Sequence, residues 1–288
     1  RDAQESRGLG DVYKRQGVRF NLSDNKSKII SYPFDGEFGN QGIYGYYNGK
    51  ELGELWGYTS VGLAQSDEEM KEWLTSNKPN WGSKWQAGDV KYKDLTGEGE
   101  VTPGASTLEN HGDLKRIGNN SPRYRVGLNL DAAWKGIDFS IFFQGVLKRD
   151  WMFDAGDPYF WGAGSGMWQA ACFEEHMDYW TPENTDAYYP KPYFNETKNQ
   201  QAQDAYMQKA SYLRCKNIQL GYTLPTHITE KAGISNCRIY LSCDNLFTIT
   251  GLSSVYDPEV FGSYDGYGTS GKTYPLQRTI SVGVNLNF

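Results

Sequence analysis

Gln277–Phe288 reads QRTISVGVNLNF, and the alternation within it decides the fold. Ile280, Val282, Val284, Leu286 and Phe288 share one parity, and Thr279, Ser281, Gly283, Asn285 and Asn287 share the other. Successive side chains of an extended strand point to opposite faces. One face of this segment is therefore wholly apolar and the other small and polar. A run of about ten residues is also the length of one strand crossing a bilayer. A soluble sandwich edge gives the same pattern, so taken alone the segment leaves the apolar face against either a protein core or lipid.

The alternation recurs upstream. Arg123–Trp134 sets Tyr124, Val126, Leu128, Leu130, Ala132 and Trp134 against Arg123, Arg125, Gly127, Asn129 and Asp131. Lys135-Gly136 is a tight-turn signal. Ile137–Leu147 follows, with Ile137, Phe139, Ile141, Phe143 and Leu147 opposed to Asp138, Ser140 and Gln144. The pair predicts an antiparallel hairpin with its apolar sides in register. Ser211–Leu224 ends with Ile218, Leu220, Tyr222 and Leu224 alternating with Asn217, Gln219, Gly221 and Thr223. Arg238–Thr250 reads as a fifth strand, Leu52–Leu63 as a sixth and Gly17–Leu22 as the end of a seventh. Helix is expected in two places only. One is Asp67–Trp73, capped by Ser66 with acids in its first turn; the other is a short turn within Pro225–Ala232.

The connections 64–121, 149–210 and 251–276 are long and rich in Gly, Trp, Tyr, Asp and Asn. Inside a compact soluble domain, structureless loops of this length would argue against the strand assignment. In an outer-membrane barrel, long loops lie outside and short turns on the periplasmic side. Counting back from a periplasmic C-terminus, every long connection falls outside except 23–51, which this count places on the periplasmic side.

Composition narrows the class. With 29 Lys+Arg against 35 Asp+Glu, the 288-residue chain has a net charge of -6, against the basic face that nucleic-acid binding needs. The longest unbroken apolar run is Ala170–Phe173, far below the roughly 20 residues of a membrane helix. That leaves a transmembrane β-barrel open, since its strands alternate. The 43 aromatic residues (21 Tyr, 13 Phe, 9 Trp) and 33 Gly suit strands, interface girdles, sugar-stacking surfaces and turns. Cys172, Cys215, Cys237 and Cys243 lack CxxC spacing and read as packing residues; His111, His176 and His227 have no ligand spacing. Arg1–Gln16 begins without Met and has no apolar core of a secretory signal, so it is expected to be a non-native leader, with residues 17–288 as the folded portion.

Seven stretches, in order, resemble the SusC/RagA-like TonB-linked outer-membrane proteins of Bacteroidetes. They are LGELWGYTSVGLAQSDEE (52–69), GDVKYKDLTGEGEV (88–101), IGNNSPRYRVGLNLDAAWKGIDFSIFFQGV (117–146), DYWTPENTDAYYP (178–190), SYLRCKNIQLGYTLP (211–225), CDNLFTITGLSSVYDPEV (243–260) and YPLQRTISVGVNLNF (274–288). The resemblance implies an all-β fold: an antiparallel transmembrane β-barrel segment, the C-terminal part of a 22-stranded barrel, with long extracellular loops and one or two short helices. It implies energy-coupled import of oligosaccharides or peptides. The expected partners are a SusD-like surface lipoprotein as a lid, the TonB–ExbB–ExbD system acting through a plug and TonB box outside this chain, and outer-membrane lipid. No cofactor and no enzymatic activity are implied.

The polar parity is expected to face the lumen, bringing Arg123, Arg125, Asn129, Asp131, Asp138, Gln144, Asn217 and Gln219 toward substrate or plug. Ile280, Val282, Val284, Leu286 and Phe288 are expected to face lipid. Trp151, Phe153, Tyr159, Phe160, Trp161 and Trp168 are candidate glycan contacts, against self-packing of the loop or contact with the lid. KDLTGEGEVTPG (93–104) offers Asp94, Thr96, Glu98 and Glu100 as alternating oxygen ligands for calcium, although no bidentate acid follows at the loop's end. The alternative is an ordered acidic turn. Asp178, Glu183 and Asp186, beside Tyr188 and Tyr189, are the nearest thing to paired carboxylates, but DYWTPENTDAYYP reads as a Pro- and Asn-rich turn. No GxSxG, HExxH, P-loop or CxxC occurs. Two other readings remain open: a soluble aromatic-rich β-protein that binds or cleaves glycans, and a complete small barrel of about eight strands.

Overall fold

The computed structural model describes residues 14–32, 42–164, 172–194, 196–260 and 273–288. In chain order the strands are β1 (Lys14–Ser23), β2 (Glu54–Gly57), β3 (Ser60–Leu63), β4 (Lys78–Pro79), β5 (Val90–Tyr92), β6 (Glu100–Val101), β7 (Lys115–Asn119), β8 (Arg123–Trp134), β9 (Ile137–Lys148), β10 (Asp150–Trp151), β11 (Gln208–Thr223), β12 (Asn236–Asp244), β13 (Thr248–Gly251) and β14 (Thr279–Asn287). The helices are α1 (Asp67–Trp73), α2 (Pro158–Trp161) and α3 (Thr226–Thr229), with short 3-10 turns beside them. The Ser66 side chain accepts from Glu69 N–H and so caps α1 where the sequence predicts it. The sequence signals miss α2, which has Asp157 as its cap and Pro158 at its first turn.

The main sheet runs β1-β8-β9-β11-β12-β14, entirely antiparallel, with β10 and β13 also paired to β11. It is a meander in which each long strand pairs with the next along the chain. Lys135 and Gly136, both left-handed (φ 48° and 86°), close the β8–β9 hairpin as the two-residue turn whose twist matches the strands.

Register carries the apolar parity across the sheet. Val18 faces Leu130, Leu130 faces Ile141, Ile141 faces Ile218, Ile218 faces Cys243 and Cys243 faces Ile280. A second row passes through Ala132, Phe139, Leu220, Leu241 and Val282, and a third through Trp134, Ile137, Tyr222, Ile239 and Val284. Among the described residues these rows stay largely uncovered, although Cys243 is buried: Val18 is 71% exposed, Leu220 51% and Val282 75%. A one-residue slip at any strand would break the rows, so the register is set by the apolar face.

Among the described residues the long strands contribute little to the buried core, Ala210 of β11 being their member of it. The core lies among the connections, where Ile43, Tyr58, Tyr92, Leu114, Phe153, Phe160, Trp161, Tyr189, Tyr206 and Tyr256 are buried together. Small sheets frame this cap: β2 pairs with β7, β3 with β5, and β4 runs parallel to β6. Tyr58 N–H donates to Ala202 O at 2.8 Å and Asp204 N–H to Tyr58 O at 3.1 Å, joining the first long connection to the second.

This placement corrects the sixth predicted strand. Leu52–Leu63 does not cross in the main sheet; it breaks into β2 and β3, which belong to the cap. Its alternation is genuine, but Trp56 and Leu63 pack against the cap core rather than facing outward. The correction resolves the misplaced 23–51 stretch. Because β1 pairs directly with β8, residues 24–122 form one connection. It leaves the same end of the sheet as 149–207 and 252–278, while 135–136 and 224–235 lie at the other end.

Candidate functional site: the polar face and the loop cap

On the polar face, register places Gly17, Asp131, Ser140, Gln219, Ser242 and Ser281 in one row, with Asp138, Gly221, Tyr240 and Gly283 in the next. Arg238 ties the rows together. Its Nε donates to Asp138 Oδ1 at 2.9 Å, and its Nη2 to Asp138 Oδ2 at 2.5 Å and Gln219 Oε1 at 3.1 Å. Asn217 Nδ2 donates to Asp244 Oδ1 at 2.7 Å and Ser242 Oγ at 3.3 Å. Arg19 lies 3.8 Å from Asp131. Glycines make room for these groups: a methyl on Gly17 would fall 2.5 Å from Asp131 Oδ1, and one on Gly221 would fall 2.5 Å from both Asp138 Oδ1 and Arg238 Nη2.

Six of the eight residues assigned to this face from sequence, Asn129, Asp131, Asp138, Gln144, Asn217 and Gln219, are opposed to polar-parity partners in these rows or beside them. Arg125 and Gln144 border a cavity described below. Arg123 differs. It forms a two-pronged ion pair with Asp24, the first residue of the long connection, and Tyr124 beside it takes a left-handed φ of 53°. Arg123 thus fastens the connection to the strand end. Its hydrogen bonds are the main reason the Asp24 carboxyl is held down to about 2.

The parity argument misses one polar residue altogether. Strict alternation from Ile218 sends Arg214 to the apolar face. The register instead slips between Cys215 and Asn217, leaving Lys216 bulged, so that Arg214 faces Gln144 and Thr248. There it is buried at 3% exposure and fully engaged. Nε donates to Thr248 Oγ1 (2.7 Å), Nη2 to Asp257 Oδ1 (2.7 Å) and Nη1 to Glu259 Oε2 (2.5 Å). Lys216 Nζ reaches the same Glu259 oxygen at 3.2 Å. The DPE of the sequence at 257–259 is therefore latched to the sheet.

The rest of the 252–260 stretch is held from the cap. Tyr256 OH donates to Asp157 Oδ1 at 3.0 Å, while Asp157 also accepts from the Tyr159 and Phe160 amides. Glu175 accepts from Ser253 Oγ at 2.5 Å and Ser254 N–H at 2.8 Å. Burial opposes ionisation of Glu175, yet the Ser253 and Ser254 donors hold its carboxyl below the usual range. Asp257 behaves likewise, with burial outweighed by Arg214 and by amides of Glu259 and Leu276. Asp157 is shifted up, because burial prevails over its three donors.

The candidate loop aromatics divide. Phe153 and Phe160 stack at 4.7 Å, Phe153 and Tyr256 at 4.3 Å, and Trp161 meets Tyr206 edge-on at 4.9 Å. Phe153, Phe160 and Trp161 are core residues, which removes them as surface contacts. Trp151 lies half-buried under the Arg149 guanidinium, 5.0 Å from its ring centroid, and Tyr159 is half-buried. Trp168 lies outside the described residues.

The 93–104 loop is closed by its own amides. Asp94 Oδ1 accepts from Thr96 N–H (2.8 Å), Thr96 Oγ1 (3.0 Å) and Gly97 N–H (2.7 Å), and Oδ2 from Gly99 N–H (2.6 Å). Asp113 accepts from Leu95 and Thr102 across the loop. Both Asp94 oxygens accept internal donors, which supports the acidic-turn reading, and among the described residues no three acidic, imidazole or thiol groups converge as metal ligands. Asp178 also closes a turn, accepting from Asn184 Nδ2 at 3.1 Å and Tyr188 N–H at 3.2 Å, while Glu183 and Asp186 are exposed.

No family model matches the chain. It is 27% identical over 285 residues to TonB-dependent receptor P3 of Formosa agariphila, covering 93% of this chain and 26% of the receptor. It is 26% identical over 209 residues to TonB-dependent receptor P26 of the same organism, covering 70% of this chain and 20% of the receptor. The chain thus spans about a quarter of the length of the curated relatives it matches. Among solved structures it is similar to the RagAB peptide transporter, at a TM-score of 0.65 and 21% identity over 96% of this chain and 28% of that one. The likeness read from sequence, to SusC/RagA-like TonB-dependent receptors, holds along nearly the whole chain, and the sheet has the fold of an antiparallel segment of such a barrel.

Proposed function

We propose that this relative of the TonB-dependent receptors is the C-terminal barrel portion, residues 17–288, of an energy-coupled outer-membrane importer of oligosaccharides or peptides. β1 begins at Lys14, shortly before that portion. In this reading the apolar rows meet outer-membrane lipid, the polar face lines the lumen and meets plug or substrate, and the cap projects outside. A SusD-like lipoprotein closes over the cap, and TonB with ExbB and ExbD drives the cycle through the receptor's remaining parts.

The observation that carries the reading is the set of apolar rows across the long strands, the first of them spanning all six, largely exposed, with every long connection at one end. A soluble glycan-binding protein with this surface would aggregate, which counts against that alternative. In the bilayer the same rows are the expected solution, because the strands between β1 and β14 are paired on both sides, the outer edges of β1 and β14 would pair with the receptor's remaining strands, and the lipid side is hydrocarbon.

The test is expression of the complete receptor, followed by fractionation and gel migration with and without heating. The reading expects an outer-membrane protein with heat-modifiable migration and uptake abolished by loss of TonB. Extraction as a soluble monomer without detergent would defeat it.

A further inference from the structure

Asn21 of β1, Arg125 of β8, Gln144 of β9, Arg149, Tyr212 of β11 and Glu259 border a cavity of about 400 Å³ at the end of the sheet where the long connections leave. Gly127 lies opposite Gln144 and Asn21, and the Asn21 amide fills the space that a methyl on Gly127 would take. The cavity's charge is lopsided. Glu259, the acid in the wall, is already engaged by Arg214 and Lys216. Among the described residues no carboxylate lies within ion-pair range of Arg125. Arg149 donates from Nε to Asn120 O at 3.1 Å and sits over Trp151. Burial lowers the Arg149 guanidinium, and the charge of Arg125 lowers it further, so the two cations share one field.

We infer that this cavity is a binding site for a carboxylate carried by the imported molecule, with Arg125 as its principal donor. The inference rests on the import reading and names the charge of the cargo. A carboxylate accepts two parallel N–H bonds from a guanidinium, and such charge-assisted bonds are about twice as strong as neutral ones. The Gln144 and Asn21 amides and the Tyr212 hydroxyl supply further donors around the same space. A neutral group would leave the like charges of the two guanidiniums unrelieved; an anion in the cavity they border offsets that repulsion. Lys in place of Arg125 keeps the charge but loses the fork.

The test uses the complete receptor in detergent. Binding of trigalacturonate is compared with that of its methyl ester, and binding of a Glu tripeptide with that of its Gln counterpart. The expected result is that at least one acidic probe binds about tenfold tighter than its neutral partner. Arg125→Gln should remove that preference and Arg125→Lys should keep part of it. The arm that responds identifies the source of the carboxylate. Heat-modifiable migration confirms that each variant is folded. No preference for the acidic probe in either arm overturns the inference, as does a preference that survives Arg125→Gln. Neither outcome touches the import reading, which stands or falls on membrane location and TonB dependence.

Discussion

Gly283 of β14 lies directly across from Tyr240 of β12, beneath its ring: a methyl built on Gly283 would come 2.5 Å from Tyr240 Cε1. The Arg238 guanidinium sits on the same ring, 4.9 Å from its centroid, and also holds Asp138. Glycine is needed here for space alone, since its φ is ordinary. Gly283→Ala is expected to cost about 1–3 kcal/mol by overpacking. In a Tyr240→Ala background the same change should cost almost nothing. Urea midpoints of the folded complete receptor for the double-mutant cycle would show the coupling, and additive costs would mean that the ring does not press on Gly283.

Arg214 is the fixed point of the 252–260 latch. Arg214→Met takes from Asp257 one of its three donors and from Glu259 one of its two, in a buried place, at a local cost of about 3–5 kcal/mol. The barrel need not unfold, because β11 keeps its strand pairing. Limited proteolysis should show new cleavage near 257–260 with unchanged heat-modifiable migration. Unchanged protection would show that the contacts of Tyr256 and Glu175 suffice.

The latch should also loosen in acid. Glu175 and Asp257 have folded carboxyls below their ordinary values, so their stabilisation is complete above about pH 4 and is lost as pH falls through the depressed values. Asp157 is shifted the other way, so its ionised form works against the fold and protonation relieves it. Two carboxylates outnumber one, and the net expectation is loosening. Anisotropy of a probe on Val255→Cys should fall as pH drops below about 4. Glu175→Gln should flatten that fall, and a probe that tightens in acid would show that Asp157 dominates.

For the 93–104 loop, calorimetric titration of the complete receptor should give no calcium affinity tighter than the millimolar range, because Asp94 is occupied by four internal donors. Burial works against its ionisation, but the Gly99 and Gly97 amides and Thr96 still hold its carboxyl low. Micromolar binding abolished by Asp94→Ala would restore the calcium reading.

The long strands were legible because a half-solvated strand writes its two faces into alternate residues. Arg123–Trp134, Ile137 onward and Thr279 onward fall where the period of two places them. The same signal misled at Leu52–Leu63, where a cap strand buries one face against Tyr58 and Tyr92 and alternates just as a lipid-facing strand does. Arg214 was hidden for a different reason. A single bulged residue, Lys216, inverts parity upstream of it, and no residue type in RCKN announces the bulge. The aromatic loop residues could not be sorted from sequence, since stacking on a sugar and stacking on Phe160 call for the same rings.

The central claim is that lipid covers one parity of these strands. Single cysteines at Ser281, Val282, Gly283 and Val284, placed in an otherwise cysteine-free complete receptor in bilayers, each carry a fluorophore, and quenching is measured with spin-labelled lipid and with a water-soluble quencher. The account predicts strong lipid quenching at Val282→Cys and Val284→Cys, and aqueous or no quenching at Ser281→Cys and Gly283→Cys. Equal quenching at all four positions, or lipid contact at the polar parity, would contradict it.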